Sequence, residues 1–228
     1  MTEIVIHGLS FSPYVRSVAM ALEIKGVPYR HQPIPLGPVE GGLGSPEHRR
    51  LHPFGRVPIL DHGDVRLYET QAILRYLDAR FPQSPLQPSE PRALGRMSQA
   101  MGILDCYMFT QTIRPIGAER VVRPALMGLA ADEAVVAAAL PATEICLAAL
   151  ERVLGHDKFL AGDALSLADL MLAPQFHLIS PAPEIRERLQ GTHLFGWLER
   201  MLAHPSMVAT TPPAELGLPI RLRDLEVA

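Results

Sequence analysis

The sequence predicts a two-part chain: a small α/β domain followed by an all-helical one. Three observations carry this. Short strand-like and helix-like runs alternate over the first third. Residues 82–91 hold four prolines in ten positions. Beyond them the apolar spacing is helical throughout.

The elements follow in order. Residues 3–7 are a β-rich run closed by Gly8. From Ser12 to Lys25, apolar residues at Val15, Val18, Ala19, Leu22 and Ile24 recur at spacings that give a helix one apolar face. Gly26 and Pro28 end that helix. Tyr29 to Ile34 is a second strand. Residues 35–50 are rich in Gly and Pro and read as a long loop, with a short helix at its end left open. Arg56 to Asp61 and Asp64 to Tyr68 are two strands joined by a His62-Gly63 turn. Thr70 to Phe81 is a second amphipathic helix. The prolines of 82–91 suit neither helix nor strand and predict an extended linker. After it come helices over Arg92–Gln111, Ala131–Val153 (kinked or split at Pro141), Ser166–His177 and Phe195–Ala203. This places a domain at 1–82, a linker at 83–91 and a helical domain at 92–228.

Composition limits the function. The 228 residues carry 21 Lys and Arg against 24 Asp and Glu, a net charge of −3. Such a balance argues against a nucleic-acid partner, which favours a basic face. With 48% apolar and 20% charged residues the chain is a typical globular one, large enough to fold without metal or disulfide. The longest purely apolar run, Ala134 to Leu140, is too short for a bilayer span, and the first residues lack a signal peptide's basic start. Cys106 and Cys146 read as reduced core thiols in a cytoplasmic protein.

Three short motifs offer chemistry. Ser10-Phe11-Ser12-Pro13-Tyr14-Val15-Arg16 sits where a strand gives way to a helix. A helix start favours an anion, and Ser12 is either a cap or a functional hydroxyl. In Arg56-Val57-Pro58, proline at a strand start fits either a cis bond or an ordinary edge proline. In Glu69-Thr70 both residues suit a helix N-terminus and both suit a ligand. Such strand and loop ends cluster on one side of an α/β sheet.

Together these residues resemble a known family. Ser12-Pro13-Tyr14-Val15 looks like a glutaredoxin Cys-Pro-Tyr-Cys site with both thiols lost. Val57-Pro58 looks like the cis-proline of the thioredoxin fold, and Glu69-Thr70 like the Glu-Ser pair that holds the γ-glutamyl end of glutathione. The chain resembles a soluble glutathione S-transferase of the serine type, close to the theta, phi and related bacterial groups. Phe159 to Leu170 resembles that family's helical-domain signature. There Ser166 and Asp169 form a capping box, with Leu165 and Leu170 as a hydrophobic staple.

The resemblance implies a thioredoxin-like N-terminal domain and a helical domain that carries the electrophile site. It implies a detoxifying transferase that activates the glutathione thiol for attack on small apolar electrophiles. Ser12 would donate to the sulfur, with Ser10 as its rival. Glu69 would take the γ-glutamyl ammonium, Thr70 that unit's carboxylate, and Val57 and Pro58 the cysteinyl part. Arg56 is either a glycyl-carboxylate contact or a solvated charge. Arg16 braces the first helix or contacts sulfur, and His7 and His31 are surface or packing residues. Tyr107, Met108, Phe109 and Arg114 are electrophile-site candidates. Met97, Met101 and Met108 are either core or the seam of a homodimer. Other readings stay open: a glutathione-dependent peroxidase, dehalogenase or isomerase, or a non-catalytic carrier of the same fold.

Overall fold

The computed structural model describes residues 2–37 and 39–218. Four strands, β1 (Ile4–Gly8), β2 (Arg30–Pro33), β3 (Ile59–His62) and β4 (Val65–Tyr68), form one sheet in the order β2-β1-β3-β4. β1 runs parallel to β2 and antiparallel to β3, and β3 to β4 is an antiparallel hairpin. Ile4 and Ile6 of β1 and Ile59 and Leu60 of β3 are buried. Helices α1 (Pro13–Lys25) and α3 (Thr70–Arg80) pack on each other and on the sheet. This is the thioredoxin-like arrangement followed by a helical domain, as expected.

Several boundaries move for physical reasons. β3 starts at Ile59, not Arg56, because Val57-Pro58 is a cis bond and the proline has no N–H for a ladder. The hairpin turn is Gly63-Asp64 rather than His62-Gly63, with Gly63 at φ 65°. The loop after β2 ends in α2 (Pro46–Leu51), whose Ser45 hydroxyl accepts the His48 N–H at 3.1 Å.

The proline-rich segment is pinned, not loose. Lys25 and Asp78 form a buried ion pair at 2.8 Å. Lys25 also donates to the carbonyls of Phe81 (2.7 Å), Gln83 and Ser84 (both 3.2 Å). Asp78 accepts the amides of Leu86 (2.8 Å) and Gln87 (3.1 Å). Burial pushes the Asp78 carboxyl up, but Lys25 and these amides more than offset it and hold it below its usual range. Leu86 is buried, and its carbonyl accepts the Leu167 N–H at 3.0 Å, which joins the segment to the helical domain.

The helix after the linker runs well past Gln111. α4 (Pro91–Ile103) passes into a π-type stretch, Leu104–Ile113, then α5 (Arg114–Gly117), a second π-type stretch, Ala118–Val122, and α6 (Arg123–Met127). Each π-type stretch lies just before a proline, Pro115 or Pro124. A proline inside a helix cannot donate and crowds the carbonyl one turn back, and a wider turn relieves both problems. Met97, Met101 and Met108 are wholly buried, so they belong to the core and do not form a seam between copies.

α7 (Glu133–Leu154) keeps Pro141 inside a single helix. It is long and apolar enough to cross a bilayer, contrary to the expectation. Its buried residues, among them Val136, Ala139, Thr143, Leu147 and Leu150, recur at helical spacing on one face. Glu144 and Glu151 on it pair with Arg188 and His193. Then come α8 (Leu167–Ile179), α9 (Pro183–Leu189), α10 (His193–Leu202), α11 (Pro205–Ala209) and a short 3₁₀ turn, Ala214–Leu216. α8 is buried all round and packs on α1, α4 and α10. Its first turn is held by Asp169, which accepts the Ser166 N–H (2.9 Å) and hydroxyl (2.7 Å). Asp169 also takes the Leu160 N–H and the Trp197 indole N–H, both at 2.9 Å.

Candidate active site

Where β1 ends, Ser12 caps α1 with extended backbone, φ −63° and ψ 123°. Its hydroxyl makes no capping bond to the first amides of α1, unlike that of Ser45 at the start of α2. The open alternative for Ser12 narrows accordingly: the hydroxyl is not consumed by the helix. It lines a cleft of about 670 Å³ between the sheet domain and the long helix. Ser10 lies on the turn before it and is not among the lining residues.

Arg56, Val57 and Pro58 line the same cleft, as do His52 and Phe54. Burial holds the His52 imidazole below its usual range, so it stays neutral. Glu69 and Thr70 line the cleft as well. Glu69 adopts φ 70°, a left-handed conformation that a non-glycine residue rarely takes. It turns the chain from β4 directly into α3, whose first amide, that of Thr70, belongs to the unpaired N–H groups of a helix start. A cleft with a hydroxyl, a helix start and an exposed backbone edge on one side suits a peptide-like anion.

The helical wall presents Asp105, Phe109, Ile113 and Gly117, each four residues apart, with Thr110, Arg114 and Ala118 beside them. Residues four apart share a face of a helix, so this row forms a continuous wall. Of the sequence candidates, Phe109 and Arg114 line the cleft, while Tyr107 and Met108 do not. Tyr107 is 57% exposed away from it, and Met108 is turned fully into the core.

Several cleft residues escaped the sequence reading. The Tyr14 hydroxyl donates to Asp105 at 2.7 Å, and the Gln71 amide donates to its other oxygen at 2.8 Å. The Tyr14 and Phe109 rings meet at 5.0 Å. Burial and the facing Asp105 carboxylate push the Tyr14 phenol far up, so it remains a donor. Nothing in Asp105's local sequence signals this role; only the tertiary pairing does.

Arg16 braces. Its guanidinium donates to the carbonyl of Thr210 at 2.7 Å and to Nδ1 of His177 at 2.9 Å, with the Met207 carbonyl at 3.4 Å. Burial lowers Arg16 to about 10. His7 pairs with Asp61 at 2.9 Å, and His31 meets the Gly8 carbonyl at 3.1 Å, so both pack against their own domain.

Fold and cleft define a two-domain protein of the thioredoxin-like type, with its ligand cleft between a cis-proline wall and a helical wall. Family comparison agrees. Residues 6–85 match the glutathione S-transferase N-terminal domain, and 133–200 its C-terminal domain. Glutathione S-transferase 1 of Dianthus caryophyllus is 33% identical over 75% of this chain and 74% of its own. The structure of glutathione S-transferase III in apo form superposes with TM-score 0.79 at 28% identity, over 92% of this chain and 99% of that one. Glutathione S-transferase I from mais, in complex with an atrazine glutathione conjugate, gives TM-score 0.77 at 26% identity, over 94% and 97%. The chain belongs to the glutathione S-transferase family and is an enzyme of that class.

Proposed function

We propose that this chain conjugates glutathione to small apolar electrophiles, with Ser12 as the residue that stabilises the thiolate. The observation that carries the reading is the uncapped Ser12 hydroxyl at the start of α1, in the cleft that Val57 and Pro58 also line. A free thiol has a pKa of about 8.5, so little of it is ionised at neutral pH. One hydrogen bond to a charged sulfur contributes about 1.5–3 kcal/mol, equivalent to one to two pKa units. The positive end of the α1 dipole adds to it. Ser12 is a donor here and not a covalent nucleophile, since its hydroxyl has no partnering base among the described residues.

In this reading the backbone of Val57 takes the cysteinyl part of glutathione. Glu69 takes the γ-glutamyl ammonium, and the Thr70 hydroxyl and amide take that unit's carboxylate. Arg56 takes the glycyl carboxylate. We assign the chain to the serine-type, theta/phi-like branch, on the strength of Ser12-Pro13-Tyr14-Val15. Detoxification in the cytoplasm fits the two free cysteines, of which Cys146 is buried as expected while Cys106, against the expectation of a core thiol, is exposed. A homodimer fits the exposed apolar side chains of Leu94, Val135 and Ile145 on α4 and α7.

Isothermal titration with glutathione, with the ultraviolet signal of bound thiolate followed across pH, tests the reading. Binding with thiolate present near neutral pH is the expected result. No binding at millimolar glutathione overturns it and favours a carrier of the same fold.

A further inference from the structure

Arg114 lines the cleft on its helical wall, four residues beyond Thr110 and next to Ile113. Around it the lining is apolar: Phe11, Phe109, Ile113, Val122 and Leu178. No hydrogen bond or ion pair engages its guanidinium among the described residues. Two arginines farther along the same continuous helix do have acidic partners. Arg120 is held by Glu133 at 2.6 Å and also by Glu184, and Arg123 approaches Glu119 at 3.3 Å. The two carboxylates of the cleft are elsewhere: Asp105 is occupied by Tyr14 and Gln71, and Glu69 lies at the start of α3. Arg114 is itself exposed, so its charge is solvated, and a cation on the cleft lining with no ion pair of its own is open to an anionic group on the substrate. An arginine suits a carboxylate especially, because its planar fork matches the two oxygens.

We propose that Arg114 selects electrophiles that have an apolar body and carry a carboxylate. The inference rests on the transferase reading above and names the substrate class of that same site. In the reaction the glutathione thiolate attacks the electrophilic carbon. A carbon–sulfur bond forms, the carbon–halogen bond breaks, and halide leaves with the electron pair. The thiol proton is lost before attack and nothing is oxidised or reduced. Arg114 takes no part in these bonds; it fixes the far end of the electrophile while its reactive carbon faces Ser12.

The test compares two aryl chlorides with one skeleton: a chloronitrobenzoate with chloride para to the carboxylate, and the corresponding chloronitrobenzamide. Wild type, Arg114→Gln and Arg114→Lys are assayed at saturating glutathione, with uncatalysed rates subtracted. The expected result is a fall of about tenfold or more in the benzoate-to-benzamide ratio of kcat/KM in Arg114→Gln, expressed mainly in KM for the benzoate. Arg114→Lys keeps the larger part of the ratio. Added salt lowers the ratio in wild type and leaves Arg114→Gln unmoved, as a charge contact at a partly open site requires. A ratio within twofold of wild type in Arg114→Gln overturns the proposal. So does an equal loss on both chlorides with a raised KM for glutathione, which would put Arg114 in the glutathione half of the cleft. Wild type that turns over the benzamide while the ratio ignores Arg114 sinks only this inference. Wild type that neither binds glutathione nor turns over either chloride sinks the transferase reading, and this inference with it.

Discussion

Replacing Ser12 by alanine removes one donor from the cleft and leaves α1 intact, because the hydroxyl makes no cap bond. Ser12→Ala is expected to lose roughly 10- to 100-fold in kcat/KM, the equivalent of one charge-assisted hydrogen bond. The pH at which half the bound thiol is ionised should move up by about one to two units, read from thiolate absorbance. An unmoved midpoint would assign thiol activation to the helix dipole alone. Glu69 offers a different signature. Glu69→Gln keeps the size of the side chain and removes its charge. The KM for glutathione should rise about tenfold with kcat less affected, since a binding contact is lost rather than a transition-state one. Steady-state kinetics in glutathione check this. At this scale the sequence was informative where a residue announces itself by position. Ser12 precedes a helix-starting proline, and Glu69-Thr70 opens a helix. It was silent on Asp105 and Tyr14, whose roles arise only from a bond that spans 91 positions.

Among the elements, the Lys25–Asp78 clip makes the most direct prediction. Removing one member of a buried ion pair typically costs about 3–5 kcal/mol, so Asp78→Asn should destabilise the chain by that order in urea unfolding at neutral pH. The pH dependence has a definite sign. The folded Asp78 carboxyl is held below its unfolded value of about 3.9. Its contribution is therefore complete above that value and lost as pH falls through the folded one. Wild type should weaken on acidification below about pH 4, and Asp78→Asn should lack that share of the slope. Helix and strand identities were mostly readable, since the apolar spacing of α1 and α3 and the Ser166–Asp169 cap that starts α8 are local signals. What was not readable had tertiary causes. β3 starts late because cis Val57-Pro58 belongs to the cleft wall. The long helix runs on to Met127 because wider turns absorb Pro115 and Pro124, which by propensity alone end a helix. Tyr107, Met108 and Phe109 are consecutive, and no helix turns three consecutive side chains to one face; Met108 continues the buried row of Met97, Met101 and Leu104 instead.

The whole molecule is joined across its two domains by α8, which packs on α1, and by Arg16, whose guanidinium is sealed beneath Thr210 and Met207. With Leu86 tied to Leu167 as well, the halves share a core rather than touch at a seam. Heat should unfold them together. Calorimetry is expected to give one transition with equal calorimetric and van't Hoff enthalpies, and two resolved peaks would refute the shared core. The division into a sheet part and a helical part was legible from the prolines of 82–91, but the shared core was not. A proline-rich segment reads as loose because its anchors, Lys25 and Asp78, lie elsewhere in the chain.

The bonds of Arg16 also bear on inheritance. A chimaera that joined the sheet half of this chain to the helical half of a relative would bring a buried cation against a foreign surface. It would need a carbonyl where Thr210 offers one and a ring nitrogen where His177 offers one, or the charge would be stranded. The side chains of positions 16 and 177 thus constrain each other directly, while position 210 matters through the course of its backbone, so a working chimaera has to keep the Arg16–His177 pair and the path of the chain after α11 together.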